Sequence, residues 1–187
     1  MDISFFTTLQ AGWLNAWIPS FGMMLVEFIY VQIFKDGGKR ALDPSWRNKK
    51  DKINYMICSL LQMSLLIVSI FVPIKLNFGW LFTGTLIYFL SLVGFIWSIH
   101  SYAAAPPDKV ICNGIYRWSR NPMYVCYFAS VFGTCIASAS IWMLILLLGL
   151  ILVTHRSILG EERFCENSYG EAYKAYNEKT PRYGLIK

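Results

Sequence analysis

Long apolar runs separated by short polar connections dominate this chain. Residues 14–34, 53–72 and 78–99 are each about twenty residues long and contain few charged side chains. About 20 apolar residues in a helix are needed to cross the ~30 Å hydrocarbon core of a bilayer. The pattern therefore predicts three transmembrane helices within residues 14–99.

The last apolar run, residues 123–153, is too long for one upright span. As a single helix it would measure about 46 Å at ~1.5 Å per residue. Four small residues, Ala137-Ser138-Ala139-Ser140, interrupt it near its middle. We therefore predict a helical hairpin that forms spans four and five. Its open ends would bring Arg120 and Asn121 close to His155 and Arg156.

The fold class expected from this pattern is an all-α polytopic membrane protein with five transmembrane helices, the last two forming the hairpin. Residues 161–177 are expected to continue the fifth span as a C-terminal helical segment outside the membrane, which Pro181 stops. Residues 1–187 would form a single membrane domain. Composition agrees, because 56% of the residues are hydrophobic and only 15% are charged, which excludes a water-soluble globule.

The placement of basic residues predicts the orientation. With five spans, every Lys and Arg except Lys75 falls on one side; the first connection alone carries Lys35, Lys39, Arg40, Arg47, Lys49, Lys50 and Lys52. Connections rich in Lys and Arg stay in the cytoplasm. The prediction is an N-terminus outside and a C-terminus in the cytosol. We interpret the basic connection as a topology signal in contact with lipid headgroups, not as a nucleic-acid site.

The five cysteines argue against metal and disulfide sites. Their number is odd and no two form a CxxC pair, so neither a structural zinc site nor a disulfide framework is expected.

One segment, residues 114–124, is dense in Arg, Asn and aromatic side chains where the chain re-enters the membrane. It reads Gly-Ile-Tyr-Arg-Trp-Ser-Arg-Asn-Pro-Met-Tyr. Such residues are typical of an interfacial anchor. However, Asn-Pro favours a helix start, and the hairpin would bring His155, Arg156, Glu161 and Glu162 nearby. Ionisable residues at membrane depth indicate a functional site.

This segment is followed by Gly-Glu-Glu at 160–162, Tyr-Gly-Glu-Ala-Tyr-Lys-Ala-Tyr at 169–176 and Pro-Arg-Tyr at 181–183. The ordered combination resembles the isoprenylcysteine carboxyl methyltransferase family. That family belongs to the wider group of integral membrane methyltransferases that includes the phospholipid N-methyltransferases. The resemblance covers residues 101–184. It implies an S-adenosylmethionine-dependent methyltransferase that releases S-adenosylhomocysteine, with residues 100–187 as its cofactor-binding and catalytic region.

The resemblance also implies roles for individual residues. The expected cofactor-binding residues are His100, Ser101, Lys109, Val110, Ile111, Tyr116, Asn121, Pro122, Met123, Tyr124 and Glu161. Glu161 would sit at the amino-acid end of the cofactor, and Arg156 is the expected catalytic and substrate-binding residue. The family often has His where this chain has Asn121. Because an amide does not titrate near pH 7, no essential proton transfer is expected at that position.

The sequence leaves two candidates for the methyl acceptor, and both are groups attached to a lipid. The α-carboxylate of a prenylated cysteine, in a peptide or protein, has a pKa of about 3.5 and is already ionised; it needs a cation, for which Arg156 is the candidate. An ethanolamine amine, with a pKa near ~10.4, needs a base, which Glu161 or Glu162 could supply. The family likeness alone favours the carboxylate. The other expected partner is the lipid bilayer, and neither nucleic acid nor metal is expected.

Two non-enzyme functions fit the sequence less well than this hypothesis. A small transporter would show repeated halves around a midplane site, and the sequence shows none. A membrane scaffold would not need clustered Arg, Asn and Glu at the mouth of the hairpin. Glu27, inside the first span, is expected to pair with a neighbouring helix, with the lining of a lipid tunnel as the alternative. Glu162 is expected on a solvated helix surface.

Overall fold

The computed structural model describes residues 3–34, 47–106 and 108–184. Regular structure in these ranges is helical, apart from a single bridge between Asn15 and Pro73. The helices are α1 (Ser4–Thr7), α2 (Trp17–Ile33), α3 (Lys49–Phe71), α4 (Phe78–Ala103), α5 (Pro122–Ser138), α6 (Ile141–Tyr169) and α7 (Glu171–Lys179), with a 3₁₀ helix at Gly114–Arg117. The all-α prediction is confirmed for the described residues.

Within the described residues, three helices, α3, α4 and α6, are long and apolar enough to cross a membrane. Helices α2 and α5 are apolar but shorter, with 17 residues each. The first predicted span becomes helical only at Trp17, because the Asn15 side chain donates to the carbonyls of Gln10 and Ile70 and holds its segment outside the helix. The count of five spans therefore stays a prediction.

The break in the last apolar run lies where the small residues predict it. Helix α5 ends at Ser138, and Ala139 adopts the left-handed conformation with φ 50°. Ser140 then caps α6, since its side chain accepts a hydrogen bond from the backbone N–H of Met143. The run is thus two helices joined by a tight turn.

The two hairpin helices pack mainly against different partners. Helix α5 lies against α4 at Gly84 and Gly133, where a Cβ added to Gly84 would be 2.3 Å from the backbone nitrogen of Ala137. Helix α6 lies against α3, and a Cβ added to Gly160 would be 2.6 Å from Oδ1 of Asp51. Small residues permit such close approach of apolar helices.

The connections collect at two opposite ends of the bundle. At one end, the Lys75 backbone N–H donates to the Ala137 carbonyl and the Trp142 indole donates to the Thr7 carbonyl. At the other end, the start of α3 meets the second half of α6 through the Asp51–Arg163 ion pair, at 3.3 Å. The C-terminal part of the chain therefore lies at the same end as the start of α3.

The C-terminal segment is two helices rather than the predicted single one. Helix α6 continues to Tyr169, and Gly170, with φ 53°, breaks the chain direction before α7 begins. On α7, Tyr173 and Tyr176 are buried. The Tyr176 hydroxyl donates to the Tyr116 carbonyl at 2.7 Å, which fixes α7 against the 3₁₀ helix.

Candidate active site

Glu162 joins the segment before α5 to helix α6. Its carboxylate accepts from Arg120, with Nη2 at 3.0 Å from Oε1, and from Arg182, with Nη2 at 2.7 Å from Oε2. The Asn121 side-chain amide donates to Oε1 at 3.3 Å. Glu162 is only 9% exposed, so its expected place on a solvated surface is wrong. It continues the buried stripe of α6 that contains Ile158, one turn earlier.

Residues 180–182 form hydrogen bonds with the segment that precedes α5, next to the Glu162 network. The Ser119 hydroxyl donates to the Arg182 carbonyl at 2.9 Å. The Arg120 backbone N–H donates to the Pro181 carbonyl, and its guanidinium donates to the Thr180 carbonyl. Three stretches distant in sequence are thereby held together around one carboxylate.

Glu161, on the neighbouring face of α6, lies among tyrosines. The Tyr124 hydroxyl donates to its Oε2 at 3.2 Å. Tyr116 is 6% exposed, and its hydroxyl has no hydrogen-bond partner in the described part of the chain. Burial, together with the nearby carboxylate of Glu161, raises the pKa of Tyr116 well above its usual value. The Tyr116 hydroxyl therefore stays protonated and can donate a hydrogen bond.

A glycine places Tyr116 beside the end of α4. Gly114 has φ +60°, and a Cβ there would lie 2.6 Å from Oγ of Ser101. The 3₁₀ helix can dock this closely on α4 because position 114 has no side chain. Ser101 thus lies beside the segment that carries Tyr116, and its role in binding the cofactor stays a prediction.

The remaining residues that are expected to bind the cofactor are distributed over α4, α5 and the connection between them. His100 is exposed and its ring is 5.5 Å from that of Phe34. Lys109 is exposed, whereas Val110 and Ile111 are half-buried in the connection that leads to the 3₁₀ helix. Pro122 is the first residue of α5. Met123 packs against the apolar cluster formed by Met23, Phe95 and Ile99.

Arg156 is exposed on α6 and makes no hydrogen bond or ion pair with any described residue. It precedes Glu161 by five residues, which at 3.6 residues per turn places it about 140° around the helix. The structure therefore puts the two residues on different faces.

Arg47 is a cation near this site, although its position in the sequence places it only in the basic connection. Its guanidinium lies 3.9 Å from the ring centroid of Tyr55. Burial raises the pKa of the Glu161 carboxyl, and the positive charge of Arg47 opposes part of that rise. No local sequence signal could have shown this, because more than a hundred residues separate Arg47 from Glu161.

The chemistry of these side chains is compatible with the cofactor that the sequence resemblance implies, S-adenosylmethionine. That cofactor carries an amino group and a sulfonium, both cationic, which suit the Glu161 carboxylate and the faces of Tyr116 and Tyr124. The buried Tyr116 hydroxyl, which lacks a partner in the described residues, offers a hydrogen bond to a bound polar group. No group of three or more His, Cys, Asp or Glu side chains that could hold a metal occurs in the described ranges.

A comparison with models of known protein families finds a match for this chain. A family model described as phospholipid methyltransferase matches residues 78–172, just over half of the 187-residue chain. The matched stretch begins with α4 and includes the 3₁₀ helix, α5 and α6. No curated protein matches the chain.

Proposed function

Since the chain belongs to the phospholipid methyltransferase family, we propose that it transfers a methyl group from S-adenosylmethionine to an acceptor attached to a lipid. The observation that carries this proposal is the meeting of Tyr116, Tyr124 and Glu161 at one end of a bundle of apolar helices. A hydrophilic cofactor can reach that end from water, and a lipid-tailed acceptor can reach it from the bilayer.

The chain's own residues would bind and orient the cofactor. Glu161 would accept a hydrogen bond from the amino group of the cofactor, and the Tyr116 hydroxyl would donate one to an acceptor atom of the cofactor. The Nδ2 of Asn121 is engaged by Glu162 and by the Arg182 carbonyl, so its contribution to the cofactor would come from Oδ1. When bound, the cofactor supplies an electrophilic methyl group on a sulfonium. In-line displacement then depends on alignment more than on proton transfer.

The first candidate acceptor is the α-carboxylate of a prenylated cysteine. Arg120, Arg163 and Arg182 are each paired with a carboxylate of this chain. Arg156 has no such pair within the described residues, so its guanidinium is available to hold an anionic acceptor. The predicted orientation would place this O-methylation at the cytosolic membrane face.

The second candidate is the amine of an ethanolamine phospholipid. The position of Arg156, on another face of α6 than Glu161, favours it, as does the family match. An amine must lose a proton before attack. Glu161 could accept that proton only where it does not hold the amino group of the cofactor.

Cofactor binding is tested first. Detergent-purified protein is expected to bind S-adenosylhomocysteine and to unfold at a higher temperature with it. Glu161→Gln should abolish binding because it removes the carboxylate. Glu166→Gln, an exposed position on the same helix, is the matched control and should bind normally. Absence of binding by the native protein at millimolar ligand would overturn the proposed function.

The acceptor is tested by labelled methyl transfer to a farnesylcysteine analogue and to phosphatidylethanolamine, side by side. For the first candidate, Arg156→Ala should leave S-adenosylhomocysteine affinity unchanged and lower turnover by roughly 10- to 100-fold, the equivalent of a charged hydrogen bond. Arg156→Lys should retain part of the rate. Label in phospholipid alone would select the second candidate, and full activity of Arg156→Ala would remove Arg156 from either reaction.

A further inference from the structure

A cavity of about 190 Å³ lies among α2, α3, α4, α5 and the start of α6, and Glu161 and Tyr124 are not among its lining residues. Its walls include the apolar side chains of Met23 and Leu65 and the polar side chains of Glu27, Gln62 and Tyr127. None of the expected cofactor-binding residues lines it. The proposed methyl transfer gives this cavity no role.

Glu27 is the residue of the cavity whose carboxyl group lacks a binding partner within the part of the chain that the structure describes. Its carboxyl has no hydrogen bond or ion pair with any described residue, so the expected pairing with a neighbouring helix does not occur there. No Lys, Arg or His is among the described residues that line the cavity. Tyr88, another wall residue, is already satisfied because its hydroxyl donates to the Pro19 carbonyl at 2.9 Å.

An acidic group in apolar surroundings is costly unless a partner neutralises it. A ligand amine can do so, because an ammonium forms a charge-assisted hydrogen bond with a carboxylate. An alcohol can also donate a hydrogen bond to a carboxylate, but it brings no positive charge and leaves the negative charge uncompensated in apolar surroundings. The missing partner is therefore best supplied by a cation attached to hydrocarbon.

The size of the cavity limits the part of the ligand that it holds. An engineered apolar cavity of about 150 Å³ binds benzene, whereas drug-sized ligands occupy sites of about 300 Å³ or more. A cavity of about 190 Å³ thus accepts a short hydrocarbon segment with its amine, and not a whole lipid.

We propose that this cavity binds a lipophilic amine, with its ammonium group on Glu27 and its hydrocarbon against Met23 and Leu65. This site is separate from the methyl-transfer site and does not depend on the proposed function.

The test measures binding of radiolabelled hexylamine to the protein in nanodiscs, with empty nanodiscs subtracted, and uses 1-hexanol as the uncharged competitor. Native protein should bind hexylamine saturably, and hexanol should compete at least tenfold more weakly than unlabelled hexylamine. Glu27→Gln, which keeps the shape and removes the charge, should weaken hexylamine binding at least tenfold.

Two controls keep the result interpretable. The unfolding temperature of Glu27→Gln should match or exceed that of the native protein, since its amide carries no unpaired charge. Glu161→Gln should bind hexylamine normally, which separates this site from the proposed active site. Equal hexylamine binding by native protein and Glu27→Gln, or equal competition by hexanol, would show that the cavity accepts hydrocarbon alone and would overturn the proposal.

Discussion

Adjacent glutamates on α6 have different surroundings because consecutive helix residues point about 100° apart. Glu161 meets the Tyr124 hydroxyl, whereas Glu162 meets Arg120 and Arg182. Glu162 is fully engaged by neighbouring side chains of this chain. It is therefore a positioning residue that holds the segment before α5 against α6, whereas the role proposed for Glu161 is to bind the cofactor.

Replacing Glu162 with Gln should destabilise the protein strongly. It leaves the guanidiniums of Arg120 and Arg182 without a carboxylate, and the Arg120 side chain is only 7% exposed. Breaking a buried pair by removing one partner costs about 3–5 kcal/mol. We expect a marked fall in unfolding temperature and weaker S-adenosylhomocysteine binding, both measured in detergent.

The matched control is Glu171→Gln, which removes the exposed pair with Lys174. Exposed pairs are worth about 0–1 kcal/mol, so its unfolding temperature should barely change. Similar stability losses in the two variants would show that the Glu162 network contributes no more than a surface pair.

Among the helices, the contact of α4 with α5 positions the start of α5, and therefore Tyr124, relative to the end of α4. This contact depends on the absence of side chains at Gly84 and Gly133. At Gly84 the atoms that a Cβ would meet belong to the backbone, with the Gly133 carbonyl oxygen at 2.5 Å. The backbone cannot move aside as a flexible side chain would, so the two helices must separate.

Gly84→Ala should therefore destabilise the protein by about 1–3 kcal/mol, the usual cost of overpacking, although Ala favours helix more than Gly does. The matched change is Gly149→Ala on α6, where the nearest atom to an added Cβ, on Leu61, is 3.9 Å away. That variant should be neutral or slightly stabilised. Unfolding temperatures in detergent compare the two, and an equally stable Gly84→Ala would contradict the close helix approach.

At the scale of the whole molecule, the connections that lie at the same end of the helix bundle determine which polar residues can meet. The start of α3 and the C-terminal helices meet through Asp51 and Arg163, and the N-terminal segment lies at the opposite end, where Gln10 donates its backbone N–H to the Phe71 carbonyl. The residues of the proposed active site can come together only in this arrangement.

Cysteine labelling in sealed vesicles tests it. In a Cys112→Ser background, which removes an exposed native thiol, Lys50→Cys and Glu178→Cys should react with an impermeant maleimide from the same side. Gln10→Cys should react from the other side. Detergent-opened vesicles control for reactivity, because all three should then label. If Lys50→Cys and Glu178→Cys reacted from opposite sides, the start of α3 and helix α7 would lie on opposite sides of the membrane. The two polar clusters could then not meet, and this arrangement would be wrong.

The sequence by itself determined the all-helical class, the apolar character of the helices and the turn near Ala139. These follow from local pattern, since a long apolar stretch needs its backbone hydrogen bonds satisfied within the helix and a run of small residues interrupts it. The motif at residues 114–124 together with Glu161 also pointed to the methyltransferase family, which the family match bears out for the wider group.

Only the tertiary structure decided which charges meet. The burial of Glu162 between Arg120 and Arg182, the approach of Arg47 to Glu161 and the cavity at Glu27 all join residues far apart in sequence. The break of the C-terminal segment at Gly170 has a local cause, but its consequence, the docking of Tyr176 on Tyr116, is again long-range. Electrostatic partners depend on distance in space, and a one-dimensional pattern of residue types does not contain that distance.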